Sequence, residues 1–166
     1  MLPTPSVFCL AAGDAEGETP LTAFDGALLR AGVGNVNLLR VSSILPPRAR
    51  QVERVVLSPG ALVPIAYGSL SASEPGVTVA AAVAAAPGEP GKPGVIVEHA
   101  LRGSRADAEA AVTRMARECF GRRGEPEPER ILVASAEHRV EVCGCAFAGV
   151  VLWYHDAPGM EATPPR

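Results

Sequence analysis

Ser42 and Ser43 stand side by side at the end of NVNLLRVSS, directly before Ile44-Leu45-Pro46-Pro47. A serine hydroxyl one residue behind a carbonyl is a nucleophile aimed at its own backbone. Attack by the Ser43 hydroxyl on the Ser42 carbonyl would exchange the amide for an ester. Elimination of that ester leaves a dehydroalanine, and its hydrolysis gives a pyruvoyl group at a new N-terminus. Such a step needs the peptide held in an attack geometry, which rigid flanks such as two prolines favour. On local grounds alone, a serine pair before Pro-Pro is first of all a turn.

Two acids stand in apolar surroundings. Asp25, on a helical reading of TPLTAFDGALLR, has Leu21, Leu28 and Leu29 one turn away, so it is either solvated at a helix edge or met by a cation. Glu98 follows the apolar run Gly94-Val-Ile-Val. A carboxyl buried there stays protonated near neutral pH and suits a general acid, whereas the alternate strand face would make it an ordinary surface residue.

Other chemistries find less support. His99, His138 and His155 are scattered, and Cys143-Gly-Cys145 is a single C-x-C, so no metal site is expected. GVGN matches neither a dinucleotide fingerprint nor a phosphate loop. The sole lysine, Lys92, lies in PGEPGKPG, a turn-rich stretch unlike the desolvated pocket of a Schiff-base lysine, so no pyridoxal phosphate is expected. A net charge of −3 offers no field for nucleic acid. The run Val142–Tyr154 is shorter than the roughly 18 residues a bilayer needs, so no membrane is expected either. The N-terminus lacks a basic start and turns acidic at Asp14, unlike a secretory signal. A cytoplasmic protein with reduced thiols is the expectation.

The elements that must position these residues are short and frequent, as 17 glycines and 16 prolines in 166 residues imply. Strands are expected at Ser6–Ala12, over NVNLLRVSS, and at Gly60–Leu70, Val77–Ala86 and Gly94–Leu101, the last two joined as a hairpin through PGEPGKPG. Thr19 caps a first helix with Pro20 at its first position. Ser104 and Asp107 open a second over Arg105–Phe120, with Ala108, Ala111, Val112, Met115 and Cys119 as its apolar stripe and Gly121 as its stop. Ile131–Glu141 and Cys143–Tyr154 read as a final pair of strands, and 155–166 as a frayed tail. The pattern is that of a single α+β domain over 1–166 with helices covering sheet faces.

Taken together, GETPLTAFDGALLRAGVGNVNLLRVSSILPP resembles the pyruvoyl-dependent arginine decarboxylases, with Ser42-Ser43 at the self-cleavage position. The likeness continues in order through GALVPIAYG, GVIVEHA, AEH and GCAFAGVVLWY. It implies a four-layer αββα sandwich assembled as a homotrimer, sometimes stacked into hexamers, with active sites between neighbouring subunits. It implies self-cleavage into a β chain, 1–42, and an α chain, 43–166, with Ser43 becoming the covalent pyruvoyl cofactor. It further implies that Asp25 receives the substrate guanidinium and that Leu21 and Leu28 line the slot for the methylenes. Asn37 would serve processing and bond near the pyruvoyl group. Glu98 would donate the proton that replaces CO₂, and the Ser42 carboxylate would border the site. The substrate implied is arginine, with lysine and ornithine as alternatives. An unprocessed scaffold relative is the alternative outside catalysis.

Overall fold

Alanine decides how closely the layers of this chain can stack. The computed structural model describes residues 3–154. In order, its elements are Val7–Gly17 (β1), Pro20–Arg30 (α1), Asn37–Arg40 (β2), Ile44–Leu45 (β3), Arg50–Gln51 (β4), Leu62–Ala72 (β5), Thr78–Ala86 (β6), Gly94–Arg102 (β7), Arg105–Arg122 (α2), Leu132–Arg139 (β8) and Cys143–Trp153 (β9). One sheet has the order β2-β5-β9-β1-β4 and the other β3-β7-β6-β8. The mixed α and β composition, with two helices and two sheets, matches the α+β expectation.

Residue alternation assigns each strand face. In β6, Val79, Ala81, Val83 and Ala85 pack toward the first sheet. Ala80, Ala82, Ala84 and Ala86 pack instead with Ala108, Val112, Ala116 and Phe120 of α2. Strand β9 is likewise buried on both sides. Its Ala146, Ala148, Val150 and Leu152 meet the second sheet, while Cys143, Cys145, Phe147 and Val151 share a core with Ala23, Ala27 and Leu28 of α1. Small side chains at these positions let helix and sheet backbones approach without voids.

Both helix starts follow the sequence. Thr19 and Ser104 each close a reciprocal capping box, with Thr22 and Asp107 as the third helical residues. The far end of α2 departs from expectation. Gly121 does not stop it; the helix runs on to Arg122, and the chain turns at Gly124, whose φ of 68° needs glycine. In the stripe, Met115 and Cys119 only flank the core, and Ala116 and Phe120 join Ala108, Ala111 and Val112 as its buried residues. The first strand is longer than Ser6–Ala12, continuing through Asp14 and Glu16. Strands β6 and β7 pair as the expected hairpin.

The last two strands do not pair with each other. Strand β8 pairs with β6 at an edge of the second sheet, and β9 sits between β5 and β1 in the first. The reason lies in their faces: β9 is apolar throughout and fits a sheet centre, while β8 carries exposed polar residues suited to an edge. Residues 155–166, read as a tail, lie outside the described residues. No described helix is long and apolar enough to cross a membrane.

A polar clasp joins the sheets where β8 leaves for β9. His138 Nδ1 lies 2.9 Å from Asp14 Oδ2, and its Nε2 lies 2.6 Å from Glu16 Oε2. Glu16 also accepts from the backbone amides of Glu141, Val142 and Cys143. Gly144 is required here, because a Cβ would run into the His138 ring. Burial alone would lower the His138 pKa, but its two carboxylate partners outweigh it and raise the value above 6.5. The bond from His138, with the backbone amides behind it, holds Glu16 down at about 2.

The sign follows for each group. The raised histidine contributes stability fully below its ordinary 6.5 and loses it as pH rises through the raised value. The depressed Glu16 contributes above 4.5 and loses it as pH falls toward 2. Replacing His138→Gln should therefore lower the thermal midpoint most between these ordinary values, at a pH of about 5–6, and less on either side. Unfolding curves of both proteins from pH 3 to 9 check this; a difference that does not vary with pH would contradict it.

Candidate active site

Strand β2 ends in the first sheet at Arg40 and β3 begins in the second at Ile44, so Val41–Ser43 carry the chain across. Both ends of the crossing are pinned. The Val41 amide donates to the Ile65 carbonyl at 3.1 Å, and the Ser43 carbonyl accepts from the Ile96 amide at 2.9 Å. Between them the Ile44 amide donates to the Ser42 carbonyl at 2.8 Å, closing a three-residue turn with Ser43 at its centre. Beyond β3, Pro46–Ala49 form a second turn closed by the Ala49 amide on the Pro46 carbonyl at 3.2 Å. In it Pro47 takes the position that suits its fixed φ, and Arg48 is forced to a φ of 66°.

This arrangement has a chemical consequence. The Ser42 carbonyl already receives a backbone N–H at a distance suited to an oxygen that gains negative charge when its carbon is attacked. The nearest hydroxyl in covalent terms is that of Ser43. With the backbone fixed to one sheet before the bond and to the other after it, the peptide cannot drift away from that donor.

Glu98 lies on β7 two residues beyond Ile96, the residue that holds the Ser43 carbonyl. Its side chain is 19% exposed, and Oε2 is buried with no hydrogen-bond partner among the described residues. Burial raises its pKa, and the guanidinium of Arg40 pulls in the opposite direction without cancelling the effect. Arg40 Nη2 stands 3.5 Å from Glu98 Oε1 and donates to the Tyr67 carbonyl at 2.9 Å. Its guanidinium carbon lies 4.7 Å over the Tyr67 ring, which packs in turn against Phe147 and Phe24.

The remaining candidates lie elsewhere in one chain. Asp25 is exposed on α1, and of the three leucines beside it only Leu28 is buried; Leu21 is 75% exposed and Leu29 is 52% exposed. Asp25 is thus solvated at the helix edge in one chain, because Ala23, Ala27 and Leu28 form the face against the sheet. Leu28 packs into that core. Asn37 opens β2, where its Nδ2 donates to the Gly60 carbonyl at 3.0 Å. The extended chain from Asn37 to Val41 spans ~13 Å at the usual rise of a strand, so its amide does not touch the serine pair of the same chain. In one chain Arg40 pairs with Glu98, and Glu98 lies two residues beyond the Ile96 that holds Ser43, while the side chains of Asp25 and Leu21 are exposed on α1 and Asn37 is engaged with Gly60.

Sequence reasoning passed over Arg40. The available signal was its position: it is the only cation in NVNLLRVSS and stands two residues before Ser42, on the same side of an extended chain. Three of the four cysteines are withdrawn from solvent. Cys9, Cys143 and Cys145 are buried, and desolvation pushes Cys9 up to about 11, against a smaller downward pull from the Val55 backbone.

Residues 7–157 match the family described as pyruvoyl-dependent arginine decarboxylase. A relative of that name from Methanocaldococcus jannaschii is 50% identical over 151 residues, covering 90% of this chain and 91% of the relative. One from Methanococcus maripaludis strain C5 is 43% identical over 90% of this chain and 92% of its own length. One from Thermococcus kodakarensis is 38% identical over 91% and 96%.

The buried Glu98 yields a stability test that needs no knowledge of the reaction. An acid with a raised folded pKa favours the fold when protonated, and that advantage is lost as pH rises through the raised value. Glu98→Gln should accordingly raise the thermal midpoint at pH 8 and change it little at pH 4. A substitution that destabilises equally at both would show that the carboxylate, and not the carboxyl, is what the site holds.

Proposed function

The chain belongs to the pyruvoyl-dependent arginine decarboxylase family, and we propose that it converts L-arginine to agmatine and CO₂ using a pyruvoyl group made from its own Ser43. The observation that carries this reading is the pinned Ser42–Ser43 crossing, with its carbonyl bonded by the Ile44 amide and Glu98 two residues beyond the anchor. These residues fit the group: a serine hydroxyl next to a polarised carbonyl can form it, and a buried carboxyl without a partner on Oε2 stands ready to act beside it.

Cleavage proceeds through the chain's own atoms. The Ser43 hydroxyl adds to the Ser42 carbonyl carbon while the Ile44 amide supports the charged oxygen. The C–N bond breaks, and the hydroxyl proton passes to the freed nitrogen. Loss of the Ser43 α-proton then expels Ser42 as a carboxylate, and water replaces the resulting imine nitrogen, which leaves as ammonia. The chain is thereby divided into 1–42 and 43–166. Once formed, the pyruvoyl group supplies the electron sink for decarboxylation. Glu98, whose carboxyl burial pushes toward the protonated form, returns a proton to the substrate α-carbon. Pyridoxal phosphate has no anchor in this reading. Lys92 sits between Glu89 and Glu125, and those partners raise its pKa, the reverse of what a Schiff-base amine needs.

The substrate side is completed by a second copy. Asp25 presents an exposed carboxylate that suits a planar guanidinium through two parallel hydrogen bonds. Leu21 and Leu28 supply the apolar wall for the methylenes, Leu21 from the exposed face and Leu28 from the margin of the core. Asn37 of a neighbouring subunit reaches the pyruvoyl group that its own chain's geometry denies it. A homotrimer, with hexamers by stacking, accounts for the open edge of β2 and for exposed Leu21, Leu29, Leu39 and Ile44. The three cores, helix on sheet, sheet on sheet and sheet on helix, support a four-layer αββα sandwich as one domain.

Release of labelled CO₂ from arginine, lysine, ornithine and aspartate tests the assignment. Arginine should turn over fastest, and Asp25→Asn should lower its kcat/KM by about 10–100-fold, the worth of a charge-assisted pair. Preference for lysine or ornithine would replace the substrate but keep the chemistry; no CO₂ from any of the four would remove the reading.

A further inference from the structure

We propose that Arg40 is the positioning residue of this site: seated on the Tyr67 ring and bonded to the Tyr67 carbonyl, it holds Glu98 Oε1 so that the buried Oε2 is the oxygen left for the reacting atoms. The inference rests on the reading of Glu98 as the proton donor. A carboxyl can rotate, and a donor whose two oxygens exchange freely is misaimed for much of the time. Here one oxygen is engaged and the other is buried without a partner. Arg40 is fixed in turn by two contacts of different kinds, a hydrogen bond of 2.9 Å and a ring 4.7 Å away. Tyr67 is itself clamped by Phe147, with ring centroids 5.3 Å apart. The line of support therefore runs from the core beneath α1 through Tyr67 and Arg40 to Glu98.

Electrostatics point the same way. Glu98 pairs across β7 with Val83 of β6, and the charged group that meets its carboxyl is Arg40 of β2, itself bonded to the Tyr67 carbonyl of β5. His99, next along β7, projects to the opposite face of the strand. Arg40 is the cation paired with Glu98 among the described residues. Burial favours the protonated acid and Arg40 favours its anion, so the guanidinium keeps the proton transferable as well as aimed. Arg40 touches no reacting atom; it acts through Glu98.

The test begins without any pyruvoyl group. In an uncut Ser43→Ala chain carrying ¹³C-labelled glutamate, the Glu98 carboxyl is titrated by NMR with Arg40, Arg40→Gln and Arg40→Lys. The midpoint should move upward in the glutamine variant and return toward its starting value in the lysine variant. In processed enzyme, Arg40→Gln should lower kcat about tenfold or more with little change in KM, and should move the alkaline limb of the kcat profile to higher pH. Arg40→Lys should restore the limb but only part of kcat, because an ammonium lacks the planar fork and the ring contact. An unmoved Glu98 midpoint in a folded Arg40→Gln chain overturns the proposal. That outcome is separate from failure of the decarboxylase reading, which would appear as an Arg40 enzyme that releases no CO₂.

Discussion

Val41–Ser43 is a strap between two sheets, and each end is held by a different sheet: Ile65 of β5 on one side and Ile96 of β7 on the other. Everything proposed for the site depends on that restraint. A serine pair in a free loop would sample many backbone states, and attack geometry would be rare among them. Here the core fixes the flanks, and the Ile44 amide occupies the one position where it can support charge on the Ser42 oxygen. The same restraint explains why a two-residue strand, β3, exists at all. Its pairing with β7 is what fastens the downstream side.

The acids are placed by the same economy of layers. Two sheets facing each other through alanine and valine leave little room for charge, so carboxylates appear where the layers end or cross. Asp14 and Glu16 grip His138 at one such margin, and Glu98 meets Arg40 at the other. The first cluster is satisfied on every side and ties the fold together. The second keeps one buried oxygen without a partner, a cost that a purely structural ion pair would have no reason to bear.

Elements with strong local signals were legible in the sequence: Thr19 as a helix cap, the Ser104–Asp107 capping box, the β6–β7 hairpin, and Glu98 as an acid in apolar company. What failed was information that only packing contains. Nothing local says that β8 and β9 belong to different sheets, because their separation depends on β9 being buried on both faces. The sequence left Asp25 either solvated or paired, and only packing shows that Ala23, Ala27 and Leu28 form the sheet-facing side while Asp25 is exposed. Asn37 and Ser43 look close in sequence but are held apart by extended backbone. Arg40 gave no signal beyond its place, since its role rests on a ring contributed by a strand 27 residues away. VSSILPP holds a turn over Ser42–Ile44, the short strand β3 and the start of a second turn, and the proposed cleavage of the Ser42–Ser43 bond relies on that first turn being pinned to two sheets.

The central claim is that the bond between Ser42 and Ser43 is broken by the chain itself. Intact-mass measurement of the purified protein, with a ketone-selective hydrazide as a second reagent, addresses it directly. The account predicts two chains, 1–42 and 43–166, with only the larger one labelled by hydrazide and blocked to N-terminal sequencing. A single folded chain of 17.1 kDa, unlabelled after prolonged incubation, would contradict it.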